Sequence, residues 1–240
     1  LLVFLGVLIQ SAPIATPKHC LLELVMIVKN EASSIVGTIQ SVKGSVDRYC
    51  ILDTGSTDNT VSLIQSAFGT TPGRVVQEPF VDFATTRNRV LELAGNECQY
   101  TLMLSGDEYL HNGDKLVKYL THQRVGGVEL KVKYGQTAYN SIRVCNTDYN
   151  WTYVGVTHEY VMSRTPNTRT PIYPYRNPTD PFILHDLSSF NVTSKMQRWR
   201  LDRDLLLADL EKNPKNTRTV FYLAQSYDCL DDLPNAYKYY

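Results

Sequence analysis

Several apolar runs in this 240-residue chain stop abruptly at an acid or a histidine, and chemistry is expected at those ends. Residues 100–104 lead directly into Ser105-Gly106-Asp107-Glu108. An acidic pair straight after an apolar strand is costly unless it faces solvent, a cation or a ligand. Oxygen donors suit Mg²⁺ or Mn²⁺, and a cation with open positions can take further oxygens from a phosphate ester. An exposed strand-end turn explains the same fragment equally well. Asp53 closes residues 46–52 and stands where a carboxylate could take a base N–H or ribose hydroxyls, although Asp53-Thr54-Gly55-Ser56 is also ordinary turn chemistry. Asp82 and Arg87, taken alone, read as a helix-start carboxylate and a surface ion pair. His158-Glu159 ends an aromatic-rich stretch, residues 151–157, and either side chain could act as a general base on a hydroxyl within its reach. His185 follows apolar residues 182–184 and precedes Asp186, which permits metal ligation or a simple hydrogen-bonded role.

Elements must carry these residues to one place. Residues 22–32 open with a compact apolar run that reads as a buried strand and end in Lys29-Asn30-Glu31. A helix is expected over residues 33–43, with Ile35, Val36 and Ile39 at helical spacing and Ser33 or Ser34 as N-cap. A strand at 46–52, a helix at 59–68 capped by Thr57 or Asp58, a strand at Val75-Val76, a helix within 82–94 and a strand at 100–104 continue the rhythm. Strand and helix alternating in this way predict parallel βαβ units. Ligands of such sheets bind at the carboxyl ends of the strands. Asn30, Glu31, Asp53, Asp58, Asp107 and Glu108 are therefore predicted to converge on one rim. Alternating stretches at 125–134 and 141–146 predict antiparallel strands that complete the sheet. Residues 164–181, rich in Pro, Thr, Arg and Asn, predict a loop. A long helix is expected at 194–212, then two shorter ones in which Ala224, Tyr227, Leu230, Ala236 and Tyr237 resemble a single tetratricopeptide-type hairpin. One such hairpin cannot bury its face alone, so it is expected to pack on the preceding domain or continue in a longer protein.

Composition narrows the partners. Lys plus Arg number 24 against 24 Asp plus Glu, so a nucleic-acid backbone, which demands excess positive charge, is not an expected partner. The 16 Tyr suit a sugar-contacting surface and ordinary strand packing alike. Five Cys without CxxC spacing indicate neither a zinc site nor a disulfide framework, are compatible with a reducing compartment, and leave room for a single bridge. Residues 1–21 read as an apolar arm or a signal or anchor remnant, too short to span a bilayer alone. A cytoplasmic setting is the first expectation. The secretory pathway is the alternative, in which Asn150-Trp151-Thr152 and Asn191-Val192-Thr193 would be glycosylation acceptors.

In order, MIVKNEA (26–32), ILDTGSTDNT (51–60), VDFATTRN (81–88), LMLSGDEYL (102–110), VGVTHEY (154–160), ILHD (183–186) and FYLAQSYDCLDD (221–232) resemble the family 2 glycosyltransferases, in the branch with tetratricopeptide-like helices after the catalytic domain. The resemblance implies a GT-A (Rossmann-like) α/β fold with a mixed, mainly parallel sheet at 22–190 and a helical hairpin within 191–240. It also implies metal-dependent transfer of a sugar from a nucleoside-diphosphate sugar, by inversion, to a hydroxyl of a glycan, protein or small molecule. In that scheme Asn30, Glu31, Asp53, Asp82, Arg87 and Ser105 line the nucleotide pocket. Asp107 and His185 bind Mn²⁺ or Mg²⁺, Glu159 is the base and His158 stands beside it, while the C-terminal helices are expected to contact protein. The family reads Asp-Ala-Asp-Glu where this chain has Ser105-Gly106-Asp107-Glu108, which implies weaker or altered metal dependence. Two other readings share the sheet: a non-catalytic binding module of the same fold, and a nucleotidyltransferase. The latter lacks its glycine-rich phosphate loop here, since Val28 to Ala32 contains no Gly.

Overall fold

The structure is a computed structural model and describes residues 18–186 and 192–240. Residues 1–17 of the expected N-terminal arm at 1–21, Asn191 of the second sequon and the boundary at 190–191 lie outside the described residues, while Cys20 and Leu21, expected in the arm, open the first strand. Among the described residues, ten strands and seven helices follow in chain order. Strand β1 (Cys20–Val28) is buried along most of its length, as its dense apolar residues require of a central parallel strand, and its one charged residue, Glu23, lies 3.6 Å from Arg48 of the next strand. It is followed by α1 (Ile35–Val42), β2 (Arg48–Asp53), α2 (Thr60–Phe68), β3 (Gly73–Gln77), α3 (Phe83–Ala94) and β4 (Cys98–Met103). Then come β5 (Glu108–His111), α4 (Gly113–His122), β6 (Gly127–Tyr134), β7 (Thr137–Asn146), β8 (Trp151–Val154), β9 (Tyr160–Ser163) and β10 (Phe182–His185).

One eight-stranded sheet has the order β3-β2-β1-β4-β7-β6-β10-β5, and β8 and β9 form a separate antiparallel ribbon. β3, β2, β1 and β4 are mutually parallel, β7 runs against both β4 and β6, and β5 runs against β10. The sheet is therefore mixed, mainly parallel in its first half, and flanked by helices. α1 buries Ile35, Thr38, Ile39 and Val42, one face at helical spacing, and α2 buries Thr60, Ile64 and Phe68. Of these, Ile35, Ile39, Val42, Ile64 and Phe68 join Leu116 and Leu120 of α4 in the larger core on one side of the sheet. On the other side, α3 packs Ala84, Val90 and Ala94 against Val25, Cys50, Leu52 and Met103.

Cap details differ from expectation. Ser34 holds the N-cap position of α1, but its hydroxyl donates to Glu31 Oε2 at 2.9 Å, outside the helix. Asn59 holds the N-cap position of α2, while Asp58 accepts from the Thr60 N–H at 3.0 Å. Cys20 and Cys98, register partners at the start of β1 and β4, are joined by a disulfide with Cα atoms 4.5 Å apart. Cys50 and Cys145 are buried thiols and Cys229 is exposed.

The C-terminal segment forms α5 (Val192–Lys212), α6 (Thr217–Cys229) and α7 (Leu233–Tyr239). It packs on the sheet domain through polar contacts. Thr157 Oγ1 donates to Asp202 Oδ1 at 2.6 Å, both residues being buried, and Arg198 lies 4.1 Å from the Phe83 ring centroid. No described helix is long and apolar enough to cross a membrane.

Candidate functional site

The parallel register sets the rim. Val28 pairs with Asp53 and Val25 with Met103, so β1, β2 and β4 emit their following residues at one edge. Asn30 takes a left-handed conformation with φ 56°, and its side chain accepts from the Thr57 N–H at 2.8 Å. Its own N–H donates to Ser56 Oγ at 2.9 Å, and the Glu31 N–H donates to Thr60 Oγ1 at 2.7 Å. These bonds lash the loop after β1 to the loop after β2. Asp53 is completely buried within that second loop: its carboxylate accepts from the N–H groups of Gly55 and Ser56, from the Ser56 hydroxyl and from Gln77 Nε2. With its lone pairs so engaged, Asp53 shapes the loop from beneath.

The segment after β4 is built around a buried ion pair. Glu108, 2% exposed, accepts from both Arg143 terminal nitrogens at 2.7 Å and from the Ser105 N–H at 2.9 Å. Burial alone would raise its pKa, but the Arg143 charge and these hydrogen bonds hold it below the usual carboxylate range. Arg143 is raised correspondingly. Glu108 is thus fixed and ionised, which leaves Asp107 as the acid that faces outward. The antiparallel pairing of β5 with β10 sets His185 opposite Glu108 and brings His185 Nε2 to 3.1 Å from Asp107 Oδ2. Burial pushes the His185 pKa down, while Asp107, through its hydrogen bond and charge, and Glu108 raise it to a net upward shift. Tyr109 donates to Asp186 at 3.0 Å, and the Asp186 N–H donates to the Asp107 carbonyl at 2.9 Å, closing the strap around the pair. Glu31 leans in from β1: burial, then the Asp107 charge, raise its pKa.

Glu159 arrives from the turn after β8. It pairs with Arg87 Nε of α3 at 2.6 Å, and both side chains are largely buried. Burial would raise its pKa, but Arg87 lowers it further, so Glu159 is ionised at neutral pH. His158 takes φ 49° and turns the other way, stacking on Tyr222 of α6 with centroids 4.2 Å apart while its carbonyl accepts from Arg218.

A cleft of about 410 Å³ gathers Glu31, Arg87, Ser105, Asp107, Glu159 and His185, with Phe80 and Phe83 as apolar walls and Arg198 reaching in from α5. A second cavity of about 490 Å³ shares Arg87, Ser105, Glu159 and His185 and extends over β6, β7 and β9. Six of the ten residues singled out in the sequence are thus brought together in one cleft. Asn30 and Asp53 support it from the loops behind. Asp82 does not line either cavity, because its carboxylate caps α3 by accepting from the Thr85 N–H and hydroxyl at 2.7 Å. His158 belongs to the contact between the sheet domain and α6. Sequence reasoning missed Arg143, Arg198, Phe80 and Phe83. An arginine between the apolar Ile142 and Val144 of an expected strand was the one visible signal, since a charge buried there needs a partner.

Among the described residues no cluster of three or more His, Cys, Asp or Glu side chains could enclose a metal ion. Asp107 and His185 supply one carboxylate and one imidazole nitrogen, of which the carboxylate matches the way Mg²⁺ is held beside substrate phosphates, with one or two carboxylates and water.

Residues 23–186 match the model of glycosyl transferase family 2, and the chain belongs to that family. It is similar in structure to S. aureus TarS residues 1–349, with 12% identity, TM-score 0.52, and coverage of 87% of this chain and 71% of that one. The UDP complex of the same TarS fragment gives 11% identity, TM-score 0.52 and coverage of 86% and 70%. Against longer TarS the identity is 13%, TM-score 0.52, and the match covers 87% of this chain but 43% of that one. These likenesses establish a GT-A-type fold. No curated protein matches the sequence.

Proposed function

We propose that the chain transfers a sugar from a nucleoside-diphosphate sugar to an acceptor hydroxyl with inversion, using Asp107 and His185 to hold Mn²⁺ or Mg²⁺ at the donor diphosphate. The juxtaposition of Asp107 and His185 at 3.1 Å, in the same cleft as ionised Glu159, carries this reading. When bound, the cation supplies positive charge opposite the departing diphosphate. The chain's own groups account for the rest. The loops tied by Asn30 and Ser56 and shaped by Asp53 form the nucleoside end, with Phe80 and Phe83 beside it. Glu159 accepts the proton of the acceptor hydroxyl. The acceptor oxygen forms a bond to the anomeric carbon as that carbon's bond to the diphosphate oxygen breaks, and the electron pair leaves with the nucleoside diphosphate. Arg87 keeps Glu159 ionised and aimed into the cleft. Asp82 is a helix cap in this scheme, and His158 positions Glu159 by anchoring the turn on α6.

The test is donor turnover with UDP-, GDP- and dTDP-sugars in the presence of Mn²⁺ or Mg²⁺, for the native chain and for Asp107→Ala. Loss of turnover in a folded variant supports the assignment. Activity that persists in excess EDTA, with Asp107→Ala still active, sinks the metal role, and donor binding without any turnover favours the non-catalytic module.

The Cys20–Cys98 bridge supports the secretory alternative for localisation, because disulfides persist in oxidising compartments. Peptide mass spectrometry of the protein from its own source tests this; two free thiols at Cys20 and Cys98 contradict it.

A further inference from the structure

Residues 23–186 match the family model, so α5 lies beyond the shared domain, yet it sends Arg198 and Leu201 into the cleft that holds Asp107, His185 and Glu159. Arg198 is seated there by its own helix. One turn on, Asp202 is 4% exposed and accepts from Arg198 Nε with both oxygens, at 2.9 and 3.1 Å, and from the Thr157 hydroxyl at 2.6 Å. The guanidinium carbon stands over the Phe83 ring of α3, 4.1 Å from its centroid. With Nε held in this way, the two terminal nitrogens of Arg198 have no hydrogen-bond partner among the described residues. Arg87, four positions after Phe83 and so on the same face of α3, supplies the matching half. Its Nε is bonded to Glu159, while its Nη1 is buried and has no hydrogen-bond partner. A buried guanidinium nitrogen without an acceptor is an exception among buried polar atoms and points to an acceptor that a ligand brings. The two cations work on one place: against the upward push of burial, Arg87 and then Arg198 lower the pKa of Glu159. Guanidinium N–H groups left open on two elements of one cleft fit an anion of several oxygens, phosphate oxygens above all. Glu31 and Asp107 line the same cleft and repel such an anion, so its entry calls for positive charge beyond a single ion at Asp107.

We propose that Arg198, from a helix outside the family's shared domain, joins Arg87 in gripping the donor diphosphate and offsets its charge as it departs, so that the donor site is complete only when α5 is docked. This rests on the transferase reading above. The test uses the full chain with Mn²⁺. Among UDP, GDP and dTDP, the one that the native chain binds most tightly serves as the probe and its bare nucleoside as the control, both by calorimetry. Arg198→Gln puts an amide N–H in place of Nε toward Asp202 and removes the charge. It should weaken diphosphate binding about tenfold or more, the worth of one charge-assisted hydrogen bond, and leave nucleoside binding unchanged. Arg198→Lys should recover part of the loss. In the native chain, the bound diphosphate should shield Arg198 from phenylglyoxal, read by peptide mass spectrometry. Equal diphosphate affinity in the native chain and Arg198→Gln, an equal fall for nucleoside and diphosphate, or modification of Arg198 that the diphosphate does not slow overturns the proposal. A native chain that binds none of the three nucleoside diphosphates overturns the transferase reading, and this assignment with it.

Discussion

Replacing Arg143 with Met removes the charge that holds Glu108 ionised beside Asp107. In the native chain the Arg143 and Glu108 side chains are 12% and 2% exposed and share two hydrogen bonds of 2.7 Å. Methionine fills similar volume, so the loss is electrostatic. A buried partner left unpaired costs about 3–5 kcal/mol, against at most about 1 kcal/mol for an exposed pair. The pH dependence separates the two cases. In the native chain the Glu108 pKa is lowered, so its contribution is present above the unfolded pKa and lost as pH falls through the folded one. In Arg143→Met, burial is the largest remaining influence and raises that pKa, so the variant is penalised increasingly as pH rises. Both effects act in one direction: the gap between native and variant should be widest near neutral pH and shrink toward about pH 4. Urea unfolding of both proteins at these two pH values measures it. The double variant Glu108→Leu with Arg143→Met should recover most of the loss, since replacing a whole buried pair by apolar groups is often neutral. A single-variant cost below about 1 kcal/mol at neutral pH, or a gap that does not change with pH, refutes the reasoning.

Other substitutions probe the surrounding parts. A Cβ at Gly106 would lie 2.6 Å from Glu31 Cγ, so Gly106→Ala should cost about 1–3 kcal/mol in chemical unfolding and raise the donor KM; unchanged values of both contradict the tight packing. Reduction of the Cys20–Cys98 bridge, which spans 78 residues, should lower stability by up to about 4 kcal/mol, read as the denaturation midpoint with and without reductant. Glu159→Gln should lower kcat about 10²–10⁴-fold, whereas His158→Ala should chiefly lower thermal stability through the lost Tyr222 contact. A larger kcat loss for His158→Ala than for Glu159→Gln reverses their roles.

Much of the first half of the fold was legible because β1, β2 and β4 are buried along nearly their whole length and are dense in apolar residues, while α1 and α2 repeat their buried residues every three or four positions. β5, α4, β8 and β9 were missed: four-residue strands carry too little periodicity, and α4 begins at a left-handed Asn112 with no capping side chain. Asp107 and His185 were each visible as strand-end residues. Their meeting depends on β5 pairing with β10 across more than seventy positions, information that no local pattern holds. Asp53 and Asp82 sit at turn and cap positions whose local hydrogen bonds look alike in sequence whether or not a ligand is near. Arg198 joins the cleft only because Asp202 and Thr157 dock α5 against the sheet domain.

Calorimetric titration of UDP into the native chain and Asp107→Asn, each with and without Mn²⁺, addresses the donor site directly. UDP should bind the native chain at least tenfold more tightly with Mn²⁺, and this gain should vanish in the folded Asp107→Asn variant, roughly the 1.4 kcal/mol of one lost tenfold step. Equal UDP affinity with and without Mn²⁺ in the native chain, or a gain that survives in Asp107→Asn, contradicts the assignment of Asp107.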